Sequence, residues 1–415
     1  MWPCGVTTVT RAAPPGRTVV VLAAGGGHTQ RLLPLIASLA TRGLAVHVLS
    51  RAEHRASVEA AGGIFFDLFA KYPLEAADRE SIPLPSRLVT FAAAYAEPLI
   101  AEVAGLHPSL LVYDSFMVVA PLIAQRLNVP YVGMRAGHAQ VPERAVAETR
   151  RDARVTTSAA CLAAVEKLRR EYGMVDASPF SYLAGMSPYL NLYGEPARFL
   201  SAEDRRAFEP IAFFGSLAPE LREAASHERP LSSASAKLRV CVAFGTVIWR
   251  YYAPVAVSAM ATLAEILAEY DANVLCSVGN HVISDDDRCR IERPHVRVAS
   301  YVDQWGALKD ADLLVTHHGL NSTHEAIFHQ VPMLSYPFFG DQPAMAQCCQ
   351  DLSLAGPLSD TPRAPLDAQA VRRAIEVVAA ARATFAARLA EARAWEIEVI
   401  DGREAVVDRL LDLAY

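Results

Sequence analysis

Between residues 316 and 347 the chain reads THHGLNSTHEAIFHQVPMLSYPFFGDQPAMAQ, and its chemistry-bearing side chains fall into two clusters. His317, His318 and Gly319 close an apolar run over 312–316, Asn321 and Ser322 suit a helix start, and Glu325 stands one turn on. A second apolar run, 331–336, empties into Phe339, Gly340, Asp341 and Gln342. Strand, polar turn, helix, strand and polar turn make half of a nucleotide-binding α/β unit. A helix starting near Gly319 or Ser322 aims free backbone N–H groups and its positive dipole end at an anion, to which His317 adds a donor for a diphosphate oxygen. Glu325 suits a ribose diol, because a carboxylate accepts two hydrogen bonds, and Asp341 with Gln342 offers acceptor and donor capacity to a sugar. Taken singly, each is equally compatible with a cap or a turn residue.

Other positions carry chemistry of the same kind. In AAGGGHTQ, Gly25, Gly26 and Gly27 let backbone approach a ligand, and His28 sits where a strand gives way to a helix, either as a functional imidazole or as a helix cap. The turn lacks GxGxxG, and Ser50 and Arg51 stand where an acid would grip a ribose, so a dinucleotide site is disfavoured. Asp114 ends the run LLVYD, from which a carboxylate can reach the His28 imidazole and fix its tautomer, unless it only caps the next helix. Gly245 and Thr246 repeat the strand–glycine–helix arrangement and offer a phosphate donor or a plain turn. Tyr301 and Gln304 could hold a planar base, or pack; Trp305 is read as packing. His318, His324 and His329 are read as structural. They lack a metal-ligand spacing such as HExxH, so no metal site is expected.

These turns need parallel-sheet frameworks to position them. Residues 18–24, a helix from about 29 to 42 and a strand over 44–49 form a βαβ unit. Strands are also expected at 110–113 and 130–134, with a helical and irregular stretch over 140–200. Residues 217–237, rich in Ala, Ser, Pro and charge, read as a linker. A second α/β unit follows, with strands at 238–244, 273–278 and 296–302, and Asp367 suits the N-cap of a C-terminal helical segment. The expected organisation is a first α/β domain over 17–216, a linker over 217–237, a second α/β domain over 238–395, and a final helix over 396–415 that packs back on the first domain. At 415 residues two domains are the default. The net charge of -6 and the absence of a basic cluster argue against a nucleic-acid partner. Seven cysteines without a CxxC pair suit a reduced cytoplasmic protein, and adjacent Cys348 and Cys349 suit helix packing. The most apolar run, 110–124, is too short to span a membrane and contains Asp114, and residues 1–16 lack the apolar core of a signal peptide.

The segments THHGLNSTHEA and VPMLSYPFFGDQ resemble the donor signature of GT-B nucleotide-sugar glycosyltransferases, in the group of UDP-glycosyltransferases and bacterial macrolide glycosyltransferases. GGGHTQRLLPL, LLVYDSF with NVP, AFGT and YVDQ extend the resemblance from about residue 18 onward. It implies an α/β GT-B fold, two Rossmann-like parallel-sheet domains facing across a cleft. It also implies an inverting transfer of a hexose from a UDP- or TDP-sugar to the hydroxyl of a small apolar acceptor. His28 then corresponds to the catalytic base and Asp114 to its partner. Gly245, Thr246, His317, Gly319, Asn321 and Ser322 correspond to diphosphate contacts and Glu325 to the ribose contact. Tyr301 and Gln304 match the base-binding element, and Asp341 and Gln342 the sugar contacts. No cofactor or required metal is expected beside the nucleotide-sugar co-substrate, and the chain is expected to be a monomer or homodimer without a membrane span. His318 stands where the group has a small residue, and Leu320 and Tyr301 where its plant branch has tryptophan. GGGHTQ also resembles lipid-linked sugar transferases of the same fold; a nucleotide-sugar 2-epimerase and a catalytically silent homologue are the other readings.

Overall fold

The computed structural model describes residues 17–135, 137–226, 230–231 and 236–414. The leader over 1–16, with Cys4, parts of the segment read as a linker, and residue 415 lie outside them. Within the described residues the chain builds two parallel sheets. The first comprises β1 (Thr18–Leu22), β2 (Ala45–Ser50), β3 (Ile64–Asp67), β4 (Pro108–Asp114), β5 (Tyr131–Arg135), β6 (Leu190–Tyr193) and β7 (Ile211–Phe213), in the order β3-β2-β1-β4-β5-β6-β7. The second comprises β8 (Leu238–Ala243), β9 (Ala272–Ser277), β10 (Val296–Ala299), β11 (Leu313–Thr316), β12 (Met333–Ser335) and β13 (Ala355–Pro357), in the order β10-β9-β8-β11-β12-β13. Their strand sequences, TVVVL, LRVCVA and LLVT among them, are predominantly apolar because helices cover both faces of such sheets.

In both sheets the winding reverses beside the first strand. β1 pairs with β2 on one side and with β4 on the other, and β8 pairs with β9 and β11. At such a switch point the turns beyond the two carboxyl ends diverge and leave a crevice. The register aligns those ends, with Leu22 opposite Tyr113 and Ala243 opposite Thr316. The candidate residues follow immediately: His28 and Asp114 in the first domain, Gly245 and His317 in the second.

The helices around the site are α1 (Gly27–Thr41), α2 (Pro219–Ala225), α3 (Ile248–Leu267), α4 (Leu320–Phe328), α5 (Gln342–Asp351), α6 (Arg382–Asp401) and α7 (Arg403–Ala414). The stretch read as a plain linker thus contains a helix, α2. It is docked on the second domain, where Glu223 accepts from Trp305 Nε1 at 2.7 Å and pairs with Lys309 at 2.5 Å. The stretch over 140–200 contains strand β6, whose four residues are buried. The helix Ala368–Ala380 is capped by Asp367, which accepts from the Ala370 N–H at 2.8 Å. α3 is long and apolar enough to span a bilayer, yet Met260, Leu263 and Leu267 pack it into the second core, and non-helical backbone at Tyr252 breaks its first turn.

α6 runs beside α4, and α7 then returns to the first sheet, burying Val407, Leu410 and Leu411 in the core that holds Val19, Val21 and Leu32. Arg42 on the last turn of α1 reaches Glu404 at 2.7 Å and Asp408 at 3.0 Å, and Arg403 Nε donates to the Phe214 carbonyl at 2.8 Å. Leu410 is fully buried, so Leu410→Ala removes packing and leaves a cavity. The expected loss is about 2–5 kcal/mol of stability, read from a urea titration. A loss below about 1 kcal/mol would mean that α7 is not a structural part of the first domain.

Candidate active site

The first half of the site is built around one buried carboxylate. Asp114 is fully buried and accepts hydrogen bonds from the Ala24 N–H (2.5 Å), the Phe116 N–H (2.8 Å) and His28 Nδ1 (2.9 Å). Burial alone would push its carboxyl up, but the facing imidazole and the two N–H donors outweigh it and hold the group below the usual carboxylate range. Asp114 therefore stays ionised and fixes which His28 nitrogen carries a proton: Nδ1–H points to the carboxylate, and Nε2 is the ring's acceptor. The Phe116 ring packs on the imidazole at 4.1 Å, and Tyr182 lies edge-on to Phe116 at 5.3 Å, giving this side an apolar wall.

The second half surrounds His317. Its ring lies between two glycines: a methyl added to Gly245 would come within 2.6 Å of Nε2, and one on Gly319 closer still. Gly245 also has a φ of 70°, so only glycine fits without strain. Burial pushes His317 down to about 4, so the ring is neutral near pH 7. Its Nδ1 lies buried toward the Ala243 backbone without a hydrogen bond of normal geometry among the described residues. Gly319 is the N-cap of α4 and no side chain caps that end, which leaves the first-turn N–H groups available. Asn321 and Ser322 therefore occupy the first turn rather than the cap. Thr246 is exposed beside Gly245.

Gln304 donates to Glu325 Oε2 at 2.7 Å and accepts from the Ser322 hydroxyl at 3.4 Å. Arg222 on α2 pairs with Glu325 Oε1 at 2.9 Å. Each carboxylate oxygen has one donor and room for a second, so a diol can still bind. Tyr301 is 67% exposed, so it does not pack; its ring is free to lie against a ligand. Trp305 is buried against Phe328 and His329. Asp341 accepts from the His138 N–H at 3.0 Å, and burial pushes its carboxyl up while the Arg31 guanidinium pulls the other way. The Gln342 carbonyl accepts from the Phe338 and Phe339 N–H groups at 2.9 and 3.2 Å, which spends that oxygen on the turn and leaves its amide donor. His318 is fully buried between Thr323 and Ser335, at 3.2 and 2.8 Å.

Several residues at the domain junction escape a reading of the sequence. His138 follows β5 and Glu195 follows β6, both at carboxyl ends of strands, the positional signal that could have pointed to them. His138 Nδ1 meets Glu195 at 3.0 Å, Glu195 meets His324 Nε2 at 3.3 Å, and His324 Nδ1 meets Glu396 on α6 at 2.5 Å. All four are buried. Burial lowers both histidines, but the carboxylates override it and carry His138 up to about 10 and His324 up to about 9, while the histidines hold Glu195 down at about 2. This chain of alternating charge ties the first domain to α4 and α6. Arg222 is the other such residue, and nothing in an Ala- and Ser-rich stretch points to it.

The family model for UDP-glucoronosyl and UDP-glucosyl transferase matches residues 242–358, the stretch that holds the His317 cradle and the α4 start. Residues 242–358 therefore carry a domain of that family. It is 21% identical over 372 residues to the uncharacterised UDP-glucosyltransferase YdhE of Bacillus subtilis, covering 85% of this chain and 87% of that one. It is 26% identical over 207 residues to the zeaxanthin glucosyltransferase of Pantoea ananas, covering 42% and 47%. Matches to two of the curated relatives span only 19% and 47% of their lengths. Among solved structures, the glycotransferase of kitacinnamycin superposes with a TM-score of 0.72 at 21% identity, over 96% of this chain and all of that one, so the chain has the GT-B fold.

The buried His–Glu chain has a pH signature. A histidine raised in the folded state contributes stability in full below its ordinary value of 6.5, and loses it as pH rises through the folded value. Glu195, lowered from 4.5, contributes above that value and loses it only as pH falls through about 2. The melting temperature of the wild type is therefore expected to decline once pH rises above about 6.5, most steeply between there and about 9, and to level off as pH passes about 10. A His138→Gln/His324→Gln variant should start lower and decline less over the same range. Parallel profiles would mean that the two imidazoles are not charged in the folded protein.

Proposed function

We propose that the chain catalyses an inverting transfer of a hexose from a UDP- or TDP-sugar to a hydroxyl of a small, rather apolar acceptor. The observation that carries this reading is the hydrogen bond between His28 and the buried Asp114 at the first switch point, opposite an uncapped helix start and the His317 cradle at the second. The first arrangement suits a general base, and the second suits a diphosphate.

The chemistry follows from the two halves. The acceptor hydroxyl gives its proton to His28 Nε2 as its oxygen attacks the anomeric carbon. The bond between that carbon and the β-phosphate oxygen breaks on the opposite face, so the configuration inverts. The imidazolium that forms is stabilised by Asp114, already ionised and in contact with Nδ1–H. The departing nucleoside diphosphate keeps the electron pair, and its charge meets the free N–H groups of α4, the Thr246 hydroxyl and the neutral His317. Glu325 receives the ribose, Tyr301 and Gln304 the base, and Asp341 with the Gln342 amide the hexose hydroxyls. The apolar wall of Phe116 and Tyr182 beside His28 supports an apolar acceptor, as does likeness to an enzyme named for zeaxanthin. This reading takes the leaving group to be stabilised without a required metal, in a cytoplasmic enzyme whose cysteines stay reduced.

His28→Ala is expected to lower turnover by about 10²–10⁴-fold while leaving the affinity for the nucleoside diphosphate within about twofold. Transfer should be followed by product formation with UDP- and TDP-sugars, and binding by calorimetry; unchanged turnover removes His28 from the mechanism. Treatment with EDTA is expected to leave the rate unchanged, and a loss restored by added Mg²⁺ would overturn the metal-free assignment.

A further inference from the structure

Arg31 lies on α1, three residues after His28, and only 8% of it is exposed. Its Nε crosses the domain junction to donate to Asn321 Oδ1 at 3.3 Å, while Nη1 is buried without a hydrogen-bond partner among the described residues. No carboxylate of those residues forms an ion pair with it. The acidic groups that face it are all engaged: Asp114 with His28, Glu195 with His138 and His324, Asp341 with the His138 N–H. Burial depresses the guanidinium's affinity for its proton, though an arginine in a protein stays charged. A buried cation with an unfilled donor is costly unless an anion completes it.

Its surroundings identify the anion. Asn321, its one partner, sits in the first turn of α4, whose uncapped N-terminus favours negative charge. On the other side stands Asp341, at the start of α5. The guanidinium thus lies between the region that suits a diphosphate and the region that suits the sugar. We propose that Arg31 is a donor-binding residue whose unfilled edge takes an oxyanion of the nucleotide-sugar, a diphosphate oxygen or a carboxylate on the sugar, from the acceptor-domain side. The inference rests on the donor reading given above and adds a residue from the opposite domain to it. Arg31 cannot lose its proton, so it supplies a fixed charge to the oxygen that gains one as the glycosidic bond breaks. The donor then bridges Arg31 on α1 and the start of α4, so its binding draws the two domains together.

Titration calorimetry with the full chain tests this, comparing wild type, Arg31→Gln and Arg31→Lys against uridine, thymidine, UDP, TDP, UDP-glucose and UDP-glucuronate. Arg31→Gln is expected to weaken the diphosphate ligands by about 10- to 100-fold and to leave the nucleosides unchanged. Arg31→Lys keeps the charge but not the fork, and should lose part of that affinity; it carries the test if the Gln variant does not fold. A loss shared by UDP and UDP-glucose assigns the oxyanion to the diphosphate, and a loss confined to UDP-glucuronate assigns it to the sugar. Unchanged affinities, or equal losses for nucleosides and diphosphates, would reduce Arg31 to a structural bridge to Asn321. A wild type that binds no nucleoside diphosphate would defeat the donor reading itself, a result distinct from either.

Discussion

One buried negative charge organises the first domain's half of the crevice. Asp114 has no contact with water, so its charge is tolerable only if its acceptor positions are filled. The sheet supplies the fillers by geometry. Because β1 and β4 are adjacent, parallel and aligned at their carboxyl ends, a side chain at the end of one strand meets the backbone leaving the other. The Ala24 N–H comes from the β1 turn, the Phe116 N–H from the turn after β4, and the imidazole from the first turn of α1. Remove the carboxylate and three separately placed groups lose their common anchor.

The second domain repeats the plan with an opposite electrical sense. There the two turns at the switch point present N–H groups, a glycine-lined neutral imidazole and a helix start rather than a buried anion. One turn set therefore anchors an imidazole on a buried carboxylate, and the other presents donors to negative charge. They are kept in mutual register by polar contacts, partly buried from His138 to Asp341 and from Arg31 to Asn321 and fully buried in the His138–Glu195–His324–Glu396 chain. Such contacts are sensitive to distance and angle in a way that apolar packing is not, and they define one relative placement of the domains.

What could be read from the sequence was local. Glycine turns following apolar runs at 25–28, 245–246 and 317–319, and the carboxylate ending LLVYD, announce strand ends because both the turn and the run lie within a dozen residues of each other. The two-sheet architecture follows from repeating such units. The start of α4 falls at the first residue of the expected span over 319–322, because Gly319 has the cap backbone although Asn321 and Ser322 have the cap-forming side chains. The helix α2 was hidden because its Ala-rich composition resembles a linker, and its stability comes from Glu223 and Arg222 meeting partners more than 80 residues away. His138, Glu195 and Glu396 are illegible for the same reason, and so are the partners of His324, whose structural role the sequence does indicate. Each pairs with a residue 57 to 129 positions distant, and no spacing in the chain records that. Tyr301, for which packing was one reading, is exposed.

The return of α7 to the first sheet has a mechanical consequence. The chain crosses between the domains once through the segment that contains α2 and again between α6 and α7. Two crossings cannot both lengthen, so the domains are not free to swing about a single flexible joint. The line through the crossings is an axis, and rotation about it is the motion that leaves both uncompressed. Glu396, on the second crossing, is part of the buried charge chain, so that axis runs beside the most strongly bonded part of the junction.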